Sequence, residues 1–308
     1  MTLTDLRYII ALASERHFGR AAEKCFVSQP TLSVAVKKLE EELGVALFER
    51  SAGEVRATPV GEQIVTQARV ALAEIERIRT LAQSGKDPLA GELRLGVIYT
   101  IGPYLLPGLV ARLRAAAPAL QLVLQENYTD RLLEALRAGE LDVIVIATPA
   151  EEAGLVALPV YDEAFRAVAP AGHPWQQHER IEPAWLLDEP LLMLGPGNCF
   201  RDQVLDLCAH ADARNGRAPR ILEGSSLETL RQMVVGGVGV TVMPASAADP
   251  ISGDAALCVR PFVEPEPTRR IALVWRSSFP RSRLIDVLRS AILDCRLPGT
   301  APVPAALR

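Results

Sequence analysis

The sequence has 308 residues, of which 49% are hydrophobic, and a formal net charge of −4. This length allows two or more domains with sizeable cores, and the slightly negative charge excludes a protein that binds nucleic acid through an overall basic surface. The first 60 residues carry eight Lys and Arg against eight Asp and Glu, so any DNA-binding function must depend on local geometry.

The amino terminus and the cysteine content predict a cytoplasmic protein. The first 20 residues carry charges throughout, unlike a signal peptide, and no window approaches the ~18 uninterrupted apolar residues of a membrane span. Cytoplasmic thiols are kept reduced, so the five cysteines are expected to be buried, metal-binding or redox-active rather than structural bridges. We therefore expect no membrane contact.

Three short helices are predicted at the start of the chain. Apolar residues recur at helical spacing over about residues 4–14, and a short second helix follows over residues 18–26. Ser28 is a good N-cap for a third helix, Pro30 is tolerated in its first turn, and Gly44 ends it. The tight connection between the second and third helices is typical of a helix-turn-helix unit.

A small hairpin and a long helix are predicted next. The Ser-Ala-Gly tip between residues 47–50 and residues 55–58 predicts a hairpin, or wing. From Thr58 a helical pattern runs to a break at residues 85–88. Its narrow apolar seam, with coiled-coil steps of four and three, consists of Ile64, Ala68, Ala71, Ile75, Ile78 and Ala82. Such a stripe without a core of its own predicts pairing with a second copy of the chain.

The remainder of the chain alternates between strand and helix patterns. This alternation predicts an α/β domain with a mostly parallel sheet and right-handed crossovers. We expect the chain to cross between two lobes near residue 161 and to return near residue 268. The predicted domains are a winged helix-turn-helix at 1–58, a linker helix at 59–87 and an effector domain at 88–308, with lobes at 88–161 plus 268–308 and at 162–267.

The third helix supplies the candidate DNA contacts. In a helix-turn-helix unit this helix can enter the major groove with its first residues at base edges, where Gln pairs with adenine and Thr or Pro touches a thymine methyl. Lys and Arg contact phosphates. The predicted DNA-binding residues are Ser28, Gln29, Pro30, Thr31, Ser33, Lys37, Arg50 and Arg56. A plain three-helix bundle is the alternative, but the wing and the seam favour a dimeric DNA reader.

A long stretch of residues carries a family resemblance. FGRAAEKCFVSQPTLSVAVKKLEEELGVALFER, followed by TPVGE, resembles the DNA-binding domain of the LysR-type transcriptional regulators. The order of winged helix, linker helix and α/β domain also matches over the whole chain. The resemblance implies a two-lobed effector domain like the periplasmic binding proteins, and a homotetramer built from two dimers. It implies a regulator and not an enzyme, with a double-stranded DNA operator and RNA polymerase as partners.

The stretch GNCFRDQVLDLC places Cys199 and Cys208 nine positions apart, with Asn198 as the predicted N-cap of a helix. Nine helical steps separate the two cysteines by roughly 13 Å along the axis, whereas a disulfide needs Cα atoms within ~4.4–6.8 Å. The helical form is therefore the unbridged form. Cys199 shares the polar face, and Cys208 lies at the edge of the apolar face. From these residues alone, two core cysteines and a redox pair both remain open.

The same spacing argues against a metal. A separation of nine is not a usual zinc spacing, and the four histidines do not cluster in the sequence. We therefore predict no metal site and no cofactor.

Hydroxyl groups follow three of the predicted strands. Thr100 ends one strand, Thr129 ends the next and opens a helix, and Ser226 follows a third. Ligands in α/β sheets bind beyond the carboxyl ends of strands, so these groups are expected to line one small polar pocket. Helix capping is the alternative for each hydroxyl, and Ser225 with Glu228 fits a capping box.

A second, narrower resemblance assigns roles. GNCFRDQVLDLC and SSLETLRQMVVGG, together with residues 20–50, resemble the OxyR group of peroxide sensors within the LysR-type family. The resemblance implies that Cys199 reacts with peroxide, that Cys208 resolves it into a disulfide, and that a thiol reductant resets the bridge. Asn198 stands where that group more commonly has His. The resemblance implies that Thr100 and Thr129 hold peroxide and that Arg269 stabilises the Cys199 thiolate. Together with Asn198 and Ser226, these are the predicted effector-binding residues.

The leading hypothesis is therefore a DNA-binding regulator that senses hydrogen peroxide through a reversible disulfide. One alternative is a LysR-type regulator that responds to an organic small molecule, with inert cysteines. Another is a thiol peroxidase, against which the winged helix argues.

Overall fold

The computed structural model describes residues 1–51, 54–84, 87, 89–148, 152–211 and 219–303. The chain forms two compact units, which are Met1–Ala82 with Arg137–Glu140, and Gln83–Leu136 with Leu141–Arg308. Among the helices in these described ranges, none combines the length and the apolar character that crossing a membrane requires.

Three helices begin the chain, as predicted: α1 (Leu3–Glu15), α2 (Phe18–Lys24) and α3 (Gln29–Leu43). The Ser28 hydroxyl accepts a hydrogen bond from the Thr31 N–H and so caps α3, while Gly44 ends it in the left-handed conformation at φ 71°. The second helix ends earlier than predicted because Phe26 has a φ of 56°, which a right-handed helix cannot accommodate.

The wing follows as β1 (Phe48–Ser51) and β2 (Glu54–Ala57), paired antiparallel, and the long helix is α4 (Pro59–Ser84). Thr58 joins the two elements. Its hydroxyl donates to the Ala46 carbonyl and accepts from the Gly61 N–H. A Cβ atom on Gly61 would lie 2.0 Å from the Leu47 carbonyl oxygen, so only glycine fits at this position. The Thr-Pro-Val-Gly segment therefore fastens α4 to the wing.

The predicted seam of α4 does not have one environment throughout. Ala68 is buried, and Ile64 and Ala71 pack partly against the core that α1, α2 and α3 form. Further along, Ile78 is 66% exposed, and the side chain of Ala82 lies outside the described residues. The first part of the seam thus packs against the core of the winged helix, whereas the apolar side chain of Ile78 is exposed to solvent.

The effector domain contains ten strands and six α-helices within the described residues. The strands are β3 (Gly91–Ile98), β4 (Leu120–Asn127), β5 (Val143–Ile146), β6 (Leu155–Pro170), β7 (Pro190–Leu194), β8 (Arg220–Gly224), β9 (Val240–Pro244), β10 (Leu257–Pro261), β11 (Thr268–Arg276) and β12 (Thr300–Pro302). The helices are α5 (Gly102–Ala116), α6 (Thr129–Arg137), α7 (Cys199–Ala211), α8 (Leu227–Val235), α9 (Ala245–Ala248) and α10 (Ser282–Asp294).

The sheet runs in the order β4-β3-β5-β11-β6-β9-β7-β8, with β10 and β12 also paired to β6. The outer strands pair in parallel, as predicted, but β6 and β11 are antiparallel to their neighbours. The strand β6 is 16 residues long. Its first part pairs with β11, and its second part pairs with β9 and β10.

Two hydrophobic cores lie along this sheet. One draws its buried residues from positions 93–161 and 271–292, and the other from positions 165–262. The strand β6 contributes Val160 and Tyr161 to the first core and Phe165 and Val168 to the second. Each core thus packs its own helices, and β6 and β11 connect them.

We expect Gly61→Ala to destabilise the winged-helix unit by at least about 2 kcal/mol, because overpacking against a backbone carbonyl cannot be relieved by a rotamer change. The unfolding transition of the full-length protein in urea measures this effect. Gly253→Ala is the matched control, since a Cβ atom there would meet open space. Equal stability of the two variants would contradict the fastening role of Gly61.

Candidate functional site

The two cysteines of interest lie on one continuous helix. Cys199 begins α7 directly after a turn in which Gly197 has a φ of 88°, and Cys208 lies in the third turn. Both are free thiols, Cys199 partly exposed and Cys208 buried with Phe200 and Val204. The regular helix keeps their Cα atoms roughly 13 Å apart along the axis, as predicted for the unbridged form.

A small polar cavity lies beside Cys199. Its volume is about 10 Å³, which is close to the least that can hold one water molecule. The lining residues are Ile98, Tyr99, Thr100, Asn127, Tyr128, Thr129, Gly197, Asn198 and Cys199. Thr129 is buried, and its hydroxyl has no hydrogen-bond partner. Buried polar groups are nearly always satisfied, so this hydroxyl indicates a site for a small polar molecule.

The topology of the sheet brings the two threonines together. Strands β3 and β4 are parallel neighbours, with Ile98 opposite Asn127 at their carboxyl ends. Thr100 and Thr129 follow these strand ends at equivalent positions, and both are buried. This edge faces the start of α7, so both hydroxyl-bearing residues line the cavity together with Asn198 and Cys199.

A buried arginine fixes Thr100. The Arg269 guanidinium donates from Nη1 to the Thr100 hydroxyl at 2.8 Å and from Nη2 to the Thr100 carbonyl at 3.0 Å. It also lies 5.2 Å from the ring centroid of Phe200, the residue after Cys199. Arg269 therefore contacts both the polar wall of the cavity and the first turn of α7.

The charge of Arg269 is compensated by Glu163. Arg269 donates to Glu163 Oε2 at 2.8 Å, and both side chains are almost completely buried. The other carboxylate oxygen, Oε1, accepts the backbone N–H of Ser246 at 3.0 Å. A buried pair of this kind depends on such additional bonds, because the desolvation of each charge costs several kcal/mol. Glu163 could not be identified from the sequence pattern, since a lone acidic residue within a strand has no distinguishing spacing.

The environment of Cys208 suppresses its reactivity in this helix. Burial raises the pKa of the Cys208 thiol to about 11, because a thiolate there would lose its hydration. Burial also raises the pKa of the thiols of Cys25, Cys258 and Cys295. Cys208 thus cannot act as a ready nucleophile while α7 is intact.

The remaining predicted effector residues have other partners. Ser226 caps α8 by accepting the Thr229 N–H, and it is not among the residues that line the cavity beside Cys199. The predicted capping box at Ser225 was wrong by one position, because α8 begins at Leu227. Asn198 donates from its side-chain amide to the Gly195 carbonyl.

Two other arginines near the site in sequence, Arg201 and Arg270, bind groups outside the cavity. Arg201 binds the Leu194 carbonyl and Glu223, and Arg270 forms a bidentate pair with Asp162. Arg269, in contrast, binds the cavity-lining residue Thr100.

The candidate DNA-contacting surface lies on α3 and the wing. Gln29, Pro30 and Thr31 are exposed in the first turn of α3, and Ser33 is partly exposed. The Ser28 hydroxyl contacts the Thr31 hydroxyl at 2.8 Å, so its capping role competes with any contact to DNA. These residues form a contiguous polar surface around the start of the helix.

The cationic candidates lie further along. Lys37 is exposed and lies 3.6 Å from Glu41, and Arg56 is exposed on β2. The side chain of Arg50 lies outside the described residues. Sequence reasoning missed Val34, which is 67% exposed on α3. The signal was present, because Val34 falls outside the apolar register of Leu32, Val36 and Leu39.

We expect Glu163→Gln to lower the free energy of unfolding of the effector domain by about 3–5 kcal/mol, because Arg269 would remain as an uncompensated buried charge. Urea unfolding of the full-length protein measures this. The matched control is Asp162→Asn at the preceding position. Its partner Arg270 is largely exposed, so a much smaller change in the free energy of unfolding is expected. Equal effects of the two variants would show that the buried pair has no special role.

We expect iodoacetamide to modify Cys208 about 100-fold more slowly in the folded than in the unfolded protein at pH 8, since its pKa lies about two units above the ordinary 9.0. The folded-state rate should rise as the pH approaches 11, where half of the Cys208 thiol is ionised. Peptide-resolved mass spectrometry measures the rates. Equal rates in buffer and in urea would contradict the burial of this thiol.

Known proteins match both parts of the chain. The family models for the bacterial regulatory helix-turn-helix protein of the lysR family and for the LysR substrate binding domain match residues 3–62 and 86–295. The DNA-binding transcriptional dual regulator OxyR of Escherichia coli is 40% identical over 292 residues, which is 95% of each chain.

Solved structures agree with this assignment. Full-length OxyR from Pseudomonas aeruginosa, with a cysteine replaced by aspartate, matches with a TM-score of 0.80 and 51% identity over 98% of each chain. A cysteine-to-serine mutant of Corynebacterium glutamicum OxyR, bound to hydrogen peroxide, matches with a TM-score of 0.66 and 35% identity over 96% of this chain and 92% of that one. The chain therefore belongs to the LysR family of transcription regulators, and within that family it is OxyR-like.

Proposed function

We propose that this protein binds operator DNA and senses hydrogen peroxide through a reversible disulfide between Cys199 and Cys208. The observation that carries the proposal is the cavity of about 10 Å³ beside Cys199, into which buried hydroxyl-bearing residues converge. Relatives named hydrogen peroxide-inducible genes activators, and an OxyR structure with bound peroxide, support the same effector.

Peroxide binding depends on the polar wall of the cavity. Hydrogen peroxide donates and accepts hydrogen bonds at both oxygens, and Thr100, Thr129 and Asn198 offer matching groups around Cys199. The unpartnered hydroxyl of Thr129 gains a partner when peroxide binds. Arg269 acts through Thr100, whose hydroxyl and carbonyl it holds.

The oxidation proceeds in two balanced steps. The Cys199 thiolate attacks one oxygen of peroxide, the O–O bond breaks, and Cys199 becomes a sulfenic acid while hydroxide takes a proton and leaves as water. The Cys208 sulfur then attacks the sulfenic sulfur, the S–O bond breaks, and a second water leaves with the thiol proton. A dithiol reductant later returns both cysteines to thiols by thiol–disulfide exchange.

The second step requires α7 to lose its regular form. The helix keeps the two sulfurs too far apart for a bond, and burial holds the pKa of Cys208 at about 11. Rearrangement removes Phe200 and Val204 from the core, and each such side chain contributes about 1.5–3 kcal/mol by burial. It also breaks the hydrogen bond from Gln203 to the Ala147 carbonyl. Oxidation at one sulfur therefore changes the surface of the effector domain.

The same cavity disfavours the alternative effector. An organic metabolite needs a pocket of about 300–1,000 Å³, whereas the space beside Cys199 is about 10 Å³. A site of this size accommodates only a molecule with very few atoms. The winged helix and the OxyR relatives likewise support a regulator over a peroxidase.

For the DNA-binding function we propose contacts from the first turns of α3 and from the wing. The proposed contact residues are Ser28, Gln29, Pro30, Thr31, Ser33, Lys37, Arg50 and Arg56, with Val34 added because its exposed methyl groups suit a thymine methyl. Lys37 and Arg56 are proposed to meet phosphates and so to position α3 without reading sequence.

The assembly is also a proposal. The exposed Ile78 on α4 supports pairing through this helix, and two such dimers would form the tetramer that the family resemblance implies. The two cores support lobes at 88–161 plus 268–308 and at 162–267, following a DNA-binding domain at 1–58 and a linker at 59–87. RNA polymerase as a partner and a cytoplasmic location remain predictions.

The disulfide is tested by treating the reduced protein with about one equivalent of peroxide. We expect two thiols to disappear, with peptide mapping that links Cys199 to Cys208, because one peroxide oxidises one dithiol. Cys199→Ser should prevent the bridge, whereas Cys258→Ala, which changes a buried cysteine outside α7, should not. A bridge to any other cysteine would refute the pairing.

The regulatory consequence is tested on DNA by footprinting the oxidised and the reduced protein on an operator fragment. A different protected length in the two states is expected, because a remodelled effector domain alters how the dimers lie on the DNA. Identical footprints with a fully formed bridge would show that the disulfide does not change how the protein binds DNA, and would refute the proposed switch.

A further inference from the structure

Two tyrosines occupy equivalent positions at the mouth of the cavity. Tyr99 precedes Thr100 after β3, and Tyr128 precedes Thr129 after β4. Tyr99 is 45% exposed and Tyr128 is 40% exposed, whereas the two threonines are 3% and 9% exposed. All four residues line the same space, so the tyrosines lie between solvent and the buried polar wall.

The two rings support each other in this position. Their centroids are 5.3 Å apart and their planes meet at 77°, which is the edge-to-face arrangement that aromatic pairs prefer. Tyr128 also lies against the loop that carries Cys199, since a Cβ atom on Gly197 would be 3.8 Å from its ring. The rings and the Gly197 loop therefore lie next to each other among the residues that line the cavity.

The chemistry at Cys199 does not itself select among hydroperoxides. A thiolate attacks the terminal oxygen of any hydroperoxide, the O–O bond breaks, a sulfenic acid forms, and the alkoxide takes a proton and leaves as an alcohol. Hydrogen peroxide has two heavy atoms, and tert-butyl hydroperoxide has four carbons more. The cavity is close to the size of one water molecule, so hydrogen peroxide exceeds it by about one heavy atom, whereas the alkyl compound exceeds it by about five and requires an aromatic ring to move.

We infer that Tyr99 and Tyr128 form a size filter that admits hydrogen peroxide to Cys199 and excludes alkyl hydroperoxides. This inference rests on the proposed peroxide-sensing function and names the residues that set its specificity. The tyrosine side chains act by their bulk, so the hydroxyl groups are dispensable and the rings are required.

The test compares rates of Cys199 oxidation by hydrogen peroxide and by tert-butyl hydroperoxide in the full-length protein. The ratio of the two rates is divided by the same ratio for free cysteine, which corrects for the different reactivity of the two oxidants toward any thiol. We expect the wild-type protein to prefer hydrogen peroxide by at least about 100-fold, since each excluded carbon discriminates by roughly 10- to 200-fold in a tight site. Tyr128→Ala and Tyr99→Ala should each reduce the preference at least about tenfold, mainly through faster reaction with the alkyl compound.

The controls are Tyr128→Phe and Tyr99→Phe, which keep the ring and should keep the wild-type preference. Each alanine variant is measured separately, so one folded variant is enough to test the filter. An unchanged preference in a folded alanine variant, or no preference in the wild-type protein, would overturn the filter while leaving peroxide sensing intact. Failure of hydrogen peroxide to oxidise Cys199 in the wild-type protein would overturn both proposals.

Discussion

The buried ion pair between Arg269 and Glu163 joins the parts of the effector domain that meet at the cavity. Glu163 lies on β6, Arg269 on β11, and Thr100 and Ser246 bind them from the segments that precede α5 and begin α9. Neither charge is exposed, so their desolvation is tolerable only while every one of these bonds is made. These bonds hold Thr100, which forms part of the polar wall of the cavity.

The helix α7 has the opposite character. Its first turn contacts the Arg269 guanidinium through the Phe200 ring, and its side chains Phe200, Val204 and Cys208 enter one core. These are ordinary packing interactions, which total only a few kcal/mol at about 1.5–3 kcal/mol for each large side chain. A covalent bond between Cys199 and Cys208 is able to outweigh them. We propose that the wall formed by Thr100 and Thr129 stays in place while α7, which carries Cys199, rearranges, as a chemical switch requires.

The cavity beside Cys199 is much smaller than the pockets in which organic ligands bind. Periplasmic-binding-protein-like lobes offer a cleft at the carboxyl ends of their strands, and β3 and β4 end at this edge. In this chain the edge is closed by the Tyr99 and Tyr128 rings and by the Gly197 loop, so only about 10 Å³ remains. The selectivity that we propose thus depends on the side chains around these strand ends and not on the fold itself.

The sequence by itself determined the winged helix, the linker helix and the start of α7, because caps such as Ser28, stops such as Gly44 and periodic apolar residues are local signals. The same helical pitch determined that Cys199 and Cys208 are apart in the regular helix. The dipeptides Tyr99-Thr100 and Tyr128-Thr129 were also visible at two strand ends, although their significance was not. Only the tertiary structure decided that these strands are adjacent, that Ser226 caps a helix instead of lining the cavity, and that Glu163 balances Arg269. Such contacts join residues as many as 169 positions apart, and a one-dimensional pattern contains no information on which distant side chains share a desolvated site.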